Sequence, residues 1–193
     1  MSEIPKILAF AGSTREESFN KKLLKIGVQG ARRAGAEVTV VDLRDLPMPL
    51  YDGDLEAVQG LPENAIKFKS LLNSHHGLLI AAPEYNSSVT GVLKNAIDWA
   101  SRTGPNEAPL ASFSEKAAAL LSASPGAFGG LRGLAALRPI LNTLGVHVLP
   151  NQVGVPRAHE AFQTDGNLKD PKMQANVEKL GAQLAGFLRR HRG

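Results

Sequence analysis

Short runs of wholly apolar residues, separated by stretches whose apolar residues recur at helical spacing, constrain this chain more than any other feature. The runs at 7–11 (Ile7, Leu8, Ala9, Phe10, Ala11), 78–82 and 117–121 show no alternation of polar and apolar residues. A strand that is apolar on both faces must be covered on both faces, which is the condition of a strand inside a parallel sheet flanked by helices. Further runs at 38–41 and 146–149 read as two more strands. Between the runs, Leu23, Leu24, Val28 and Ala31 recur at helical spacing up to Gly35, and residues 65–72 and 91–100 read as helices. Leu134, Leu137, Ile140, Leu141 and Leu144 form a stripe ending at Gly145, and an amphipathic pattern spans 173–188. Residues 44–60, rich in Pro, Gly and Asp, read as a long surface loop that could wall a site.

Strands and helices alternating in this way build an open, doubly wound α/β sheet with helices on both faces. The expectation is a flavodoxin-like, five-stranded parallel sheet of order 2-1-3-4-5, in a single domain over residues 1–193. In such sheets a ligand sits outside the carboxyl ends of the strands where strand order reverses, and in flavodoxin that ligand is FMN. The loops after the first, third and fourth strands are therefore the expected site.

Composition removes several alternatives. The chain has no cysteine, which excludes disulfides, thiolate metal sites and a cysteine nucleophile. Its 22 Lys and Arg against 18 Asp and Glu give a net charge of +4, but the basic residues are scattered, so no nucleic-acid partner is expected. Only Arg189, Arg190, His191 and Arg192 cluster, as a helix end that complements its dipole. The segment behind Met1 lacks a basic leader and is too short to span a bilayer, so a cytoplasmic protein without a membrane partner is expected. His75 and His76 are adjacent and lack a third ligand at suitable spacing, so no metal is expected.

The loop after the first strand reads Gly12-Ser13-Thr14-Arg15-Glu16-Glu17-Ser18-Phe19-Asn20 and leads into a helix. Free N–H groups and the dipole at a helix start favour an anion. Ser13, Ser18 and Asn20 add neutral donors, and Arg15 adds a forked cation matched to phosphate oxygens. Neither a Walker A ending nor a Gly-x-Gly-x-x-Gly fingerprint is present, so a mononucleotide phosphate suits the loop better than a pyrophosphate. A plainer reading has Ser18 capping the helix and Arg15 solvated.

After the third strand, Pro83 ends the ladder and can hold the amides of Glu84, Tyr85 and Asn86 toward the crevice, where a flat heteroaromatic ring with edge acceptors is a suitable guest. Tyr85 as a half-buried aromatic and Asn86 as a turn residue are the plainer alternatives. After the fourth strand, Ser124-Pro125-Gly126-Ala127-Phe128-Gly129-Gly130 lets backbone approach a flat ligand closely, or makes a plain turn into a helix.

Taken together and in order, residues 12–20, 83–86 with 93–99, and Ser124, Pro125 and Gly126 resemble the NAD(P)H-dependent FMN reductase family, which includes bacterial quinone, chromate and azo reductases. The resemblance covers nearly the whole chain. It implies noncovalent FMN whose phosphate is held by Gly12, Ser13, Arg15, Ser18 and Asn20, with Phe19 offering a backbone amide. Pro83, Glu84, Tyr85 and Asn86 would line the isoalloxazine, and Ser124, Gly126 and Gly129 would close its other side. Arg102 resembles a family arginine near the mouth, where it would meet substrate. Thr90 departs from the pattern, because many relatives carry proline before Gly91.

The resemblance further implies electron transfer from NAD(P)H to a small acceptor (a quinone, an azo compound, free flavin or an oxyanion such as chromate) by ping-pong exchange. No side-chain acid or base is required, since the flavin carries the chemistry. A homodimer or homotetramer is implied as well. The rival readings are a flavodoxin-like electron carrier, a receiver-type signalling domain, for which Phe10-Ala11-Gly12 supplies no acidic pair, and a nucleotide-phosphate enzyme using the same loop.

Overall fold

The protein is described by a computed structural model covering residues 3–104 and 107–191, so Arg192 of the basic cluster lies outside the described residues. Five strands, β1 (Lys6–Ala11), β2 (Glu37–Asp42), β3 (Gly77–Ala81), β4 (Ala117–Ala123) and β5 (His147–Val155), form a sheet of order β2-β1-β3-β4-β5. Each neighbouring pair is parallel. This is the flavodoxin-like doubly wound order, with its switch point between β1 and β3. The helices are α1 (Phe19–Arg33), α2 (Gly53–Gln59), α3 (Glu63–Asn73), α4 (Gly91–Ser101), α5 (Leu131–Thr143), α6 (Ala158–Ala161) and α7 (Pro171–His191).

The apolar strands divide their side chains between two cores. Ile7, Ala9, Leu79, Ala119 and Leu121 pack under α1 and α7, against Leu23, Leu24, Val177 and Leu184. Leu8, Phe10, Leu78, Ile80 and Leu120 face α3, α4 and α5, against Phe68, Leu72, Leu93, Ile97 and Leu137. Each large side chain buried in this way contributes roughly 1.5–3 kcal/mol of transfer free energy. A strand polar on one face would have removed one of the two helix layers.

Besides the short α6, which the sequence reading did not expect, β5 and α2 differ from the sequence expectation. β5 continues past residue 149 through Pro150 to Val155, and its register against β4 shifts between Ala118 and Leu120. β5 is an edge strand, where an irregular register tolerates a proline that a central strand would not. The second difference is α2, which lies inside the stretch 44–60 read as a loop. Asp52 caps it, accepting from the amides of Asp54 at 2.8 Å and Leu55 at 3.4 Å. No α2 residue is buried, so the helix lacks the apolar face by which periodicity finds helices. Among the described residues no helix is long and apolar enough to cross a membrane.

Candidate functional site

The carboxyl ends of β1, β3 and β4 carry the loops 12–18, 82–90 and 124–130 to one edge of the sheet. The first intrahelical donor of α1 is the Lys22 amide, bonded to the Ser18 carbonyl at 3.1 Å, so the amides before it are those of an open helix N-terminus. Ser18 stands at the N-cap with extended backbone, yet its side chain makes no capping bond, and the first turn holds no acidic residue. Ser18 is 4% exposed and Ser13 6% exposed, and the Ser13 hydroxyl accepts from the Arg15 amide at 3.3 Å. The plainer reading of Ser18 as a helix cap is therefore not realised. Arg15 is exposed and forms no ion pair among the described residues, whereas its acidic neighbours are paired. Glu16 meets Arg44 at 2.9 Å and Glu17 meets Lys22 at 2.7 Å, the Lys22 bond holding the Glu17 carboxyl below the ordinary range.

The Asn20 side chain is engaged within the protein itself. Its buried side-chain amide donates to the Ala123 carbonyl at 2.8 Å and accepts from the Ala123 amide at 3.0 Å, which clips the start of α1 to the end of β4. Asn20 thus sets where the open helix end lies.

The loop after β3 is a tight turn. Tyr85 and Ser88 exchange two backbone hydrogen bonds of 3.0 Å around Asn86 (φ 51°) and Ser87 (φ 62°), the paired positive φ values of a type I′ turn. Before the turn, Glu84 reaches across to α5. One carboxylate oxygen accepts from the amides of Arg132 and Gly133, each at 3.1 Å, and the other from Arg132 Nε at 2.8 Å. Glu84 therefore caps α5, whose own N-cap residue, Gly130, has no side chain to do so. Burial pushes the Glu84 carboxyl up, but the Gly133 amide and the Arg132 guanidinium and amide together hold it below the ordinary range.

In the loop after β4, Ser124 Oγ accepts from the Gly126 amide at 3.2 Å, and the Ser124 carbonyl accepts from Ala158 at 3.1 Å. Glycine at 129 and 130 answers to the protein itself, with φ of 59° and 85°; a Cβ would lie 2.8 Å from the Gly154–Pro156 backbone or 1.9 Å from Ser122 Oγ. Gly126 alone of the three faces open space, a Cβ there meeting only Ser124 Oγ at 3.6 Å. Tyr85 (56% exposed) and Phe128 (62% exposed) stand at the rim.

The chain that carries this uncapped helix start, beside an arginine with no ion pair among the described residues, matches a known family. The model of the NADPH-dependent FMN reductases fits residues 5–160. The chain belongs to this family. It is 39% identical over 194 residues to an NAD(P)H-dependent FMN reductase of Pseudomonas aeruginosa, covering 100% of both chains. To an NAD(P)H:quinone oxidoreductase of Solanum tuberosum it is 34% identical over 180 residues, covering 91% of this chain and 88% of the relative. Among solved structures, the flavoenzyme NAD(P)H:(acceptor) oxidoreductase FerB of Paracoccus denitrificans superposes with a TM-score of 0.79 at 28% identity, covering 97% of this chain and 99% of that one. Membership makes the chain an FMN-dependent oxidoreductase.

Within one copy of the chain, Arg102 stands apart from the three loops. It follows the last residue of α4, about 16 Å along the axis from Gly91 at 1.5 Å per residue, so it lies at the end of the helix remote from this chain's crevice. There its Nε contacts both Glu56 carboxylate oxygens at 2.9 Å, and its guanidinium lies 5.4 Å from the Tyr51 ring centroid. Tyr51 packs on Trp99, which is fully buried and donates to the Pro49 carbonyl at 2.8 Å. Of the histidines, His75 is buried and meets Thr39 Oγ1 at 2.8 Å. Among the described residues no three metal-ligating side chains converge.

Proposed function

We propose that this reductase holds FMN noncovalently in the crevice and passes electrons from NAD(P)H to a small, flat acceptor of the quinone class. The observation that carries this reading is the α1 N-terminus, where a buried serine hydroxyl makes no capping bond and no acid occupies the first turn. That donor set fits a phosphate monoester. Ser13, Ser18 and the Phe19 amide would bind it, with Arg15 closing over it from the solvent side. The backbone of residues 83–86 and the turn at Ser124 and Gly126 would border the ring. When bound, FMN supplies the two-electron chemistry that no side chain here can perform.

The residues of this chain do the positioning. The type I′ turn and the Glu84 clamp hold the two loops at a fixed separation, so the backbone donors along them need little reorganisation on binding. The exposed aromatic rings of Tyr85 and Phe128 favour a planar apolar acceptor over an oxyanion, since the nearby Arg132 is already neutralised by Glu84. The same chain forms a homo-oligomer: α2 buries nothing of its own and exposes Val58 (83%), while Leu50 (80%) before it and Ile66 (53%) on α3 are exposed as well. Anaerobic mixing of the purified flavin-bound protein with NADPH or NADH tests the reading. Flavin absorbance should bleach and recover on addition of a benzoquinone; flavin that stays oxidised would instead mark a one-electron carrier.

A further inference from the structure

Thr90 is almost fully buried, at 2% exposure, and its hydroxyl joins two parts of the site. As the N-cap of α4 it accepts from the Leu93 amide at 3.4 Å, and it donates to the carbonyl of Gly12 at 2.7 Å, 78 residues earlier in the chain. A hydroxyl has one proton to donate, so this bond is its only donation. The Gly12 amide is fixed as well, donating to the Ala81 carbonyl at 2.9 Å. A Cβ on Gly12 would lie 2.9 Å from Leu93 Cβ, so α4 also presses against this residue. Both polar groups of the first residue of the loop are thus held from the β3 side.

In a planar trans peptide the carbonyl and the following N–H point in opposite directions. A Gly12 carbonyl pinned toward α4 therefore aims the Ser13 N–H away from α4. We infer that Thr90 is a positioning residue of the phosphate loop: its hydroxyl fixes the Gly12–Ser13 peptide so that the Ser13 amide is presented to a phosphate monoester. This rests on the reading that residues 12–18 take the phosphate of FMN. Thr90 acts through Gly12, and it gives α4 a cap while orienting a loop that α4 does not contain.

Riboflavin, which lacks the phosphate, separates this role from a general structural one. The full chain, stripped of flavin, is titrated with FMN and with riboflavin by fluorescence quenching, as wild type, Thr90→Val and Thr90→Ser. Loss of one well-placed hydrogen bond should weaken FMN binding by about tenfold in Thr90→Val. Riboflavin binding should stay unchanged in that variant, and Thr90→Ser should restore FMN binding. Equal weakening of both flavins, or an unchanged FMN affinity, overturns the inference. Should Thr90→Val not fold, Thr90→Ala is judged by the same comparison. A wild type that binds riboflavin as tightly as FMN refutes the phosphate-loop reading itself, which distinguishes the two failures.

Discussion

The loop after β1 and the pair of loops after β3 and β4 solve opposite problems at the same sheet edge. In the first, polar groups are left open: Ser18 makes no cap bond and Arg15 no ion pair among the described residues. In the second, polar groups are matched to one another: the Glu84 carboxylate caps α5, and Tyr85 and Ser88 close their own turn. The difference teaches that only part of such a crevice consists of binding groups. The rest is scaffold whose interactions are complete before any ligand arrives.

Substitutions can break this contrast. The largest effect is expected from Arg15→Ala combined with Ser18→Ala, which should weaken FMN binding by about a hundredfold, the loss of two strong hydrogen bonds, while urea unfolding of the flavin-free protein barely changes. A comparable loss of stability would show that loop to be scaffold too. Glu84→Ala should do the reverse, lowering stability by about 2 kcal/mol through loss of charged hydrogen bonds and the α5 cap. Acid adds a second reading of the same residue. Because the folded Glu84 carboxyl is held below the ordinary glutamate range, its contribution is complete above that range and disappears as pH falls through the lowered value. Unfolding free energy followed from neutral to acidic pH should accordingly fall less steeply in Glu84→Gln than in wild type. The smallest effect belongs to Arg102→Ala, where a half-exposed pair with Glu56 is worth under about 1 kcal/mol. Its kcat/KM for NADPH should stay within about twofold of wild type, by the same surface-pair reasoning, and a larger drop would place Arg102 at a working site.

How far the sequence alone reaches follows from the range of the interactions. The strand order came from the flavodoxin-like arrangement of such sheets, whereas the buried strands and both helix layers could be read because residues 7–11, 78–82 and 117–121 are apolar throughout, a local property. The open end of α1 was visible for the same reason, as a loop rich in donors before a helix. Glu84 is different, since its partners stand 48 residues away and nothing near it in sequence announces a cap. The clip from Asn20 to Ala123, 103 residues later, likewise leaves no local mark. Arg102 was read as a substrate contact from a family likeness, which carries a residue's identity without the length of the helix that bears it. α2 escaped notice because its only local sign was Asp52, a cap with no apolar stripe behind it.

The clip between Asn20 and Ala123 has a consequence for biosynthesis. The residue that orients the start of the first helix finds its partner only at the last residue of the fourth strand. A chain emerging from the ribosome can wind α1 early, but it cannot give that helix its final tilt until residue 123 has cleared the exit tunnel. The seat of the α1 end is thus a product of the assembled sheet and not of the helix that carries it.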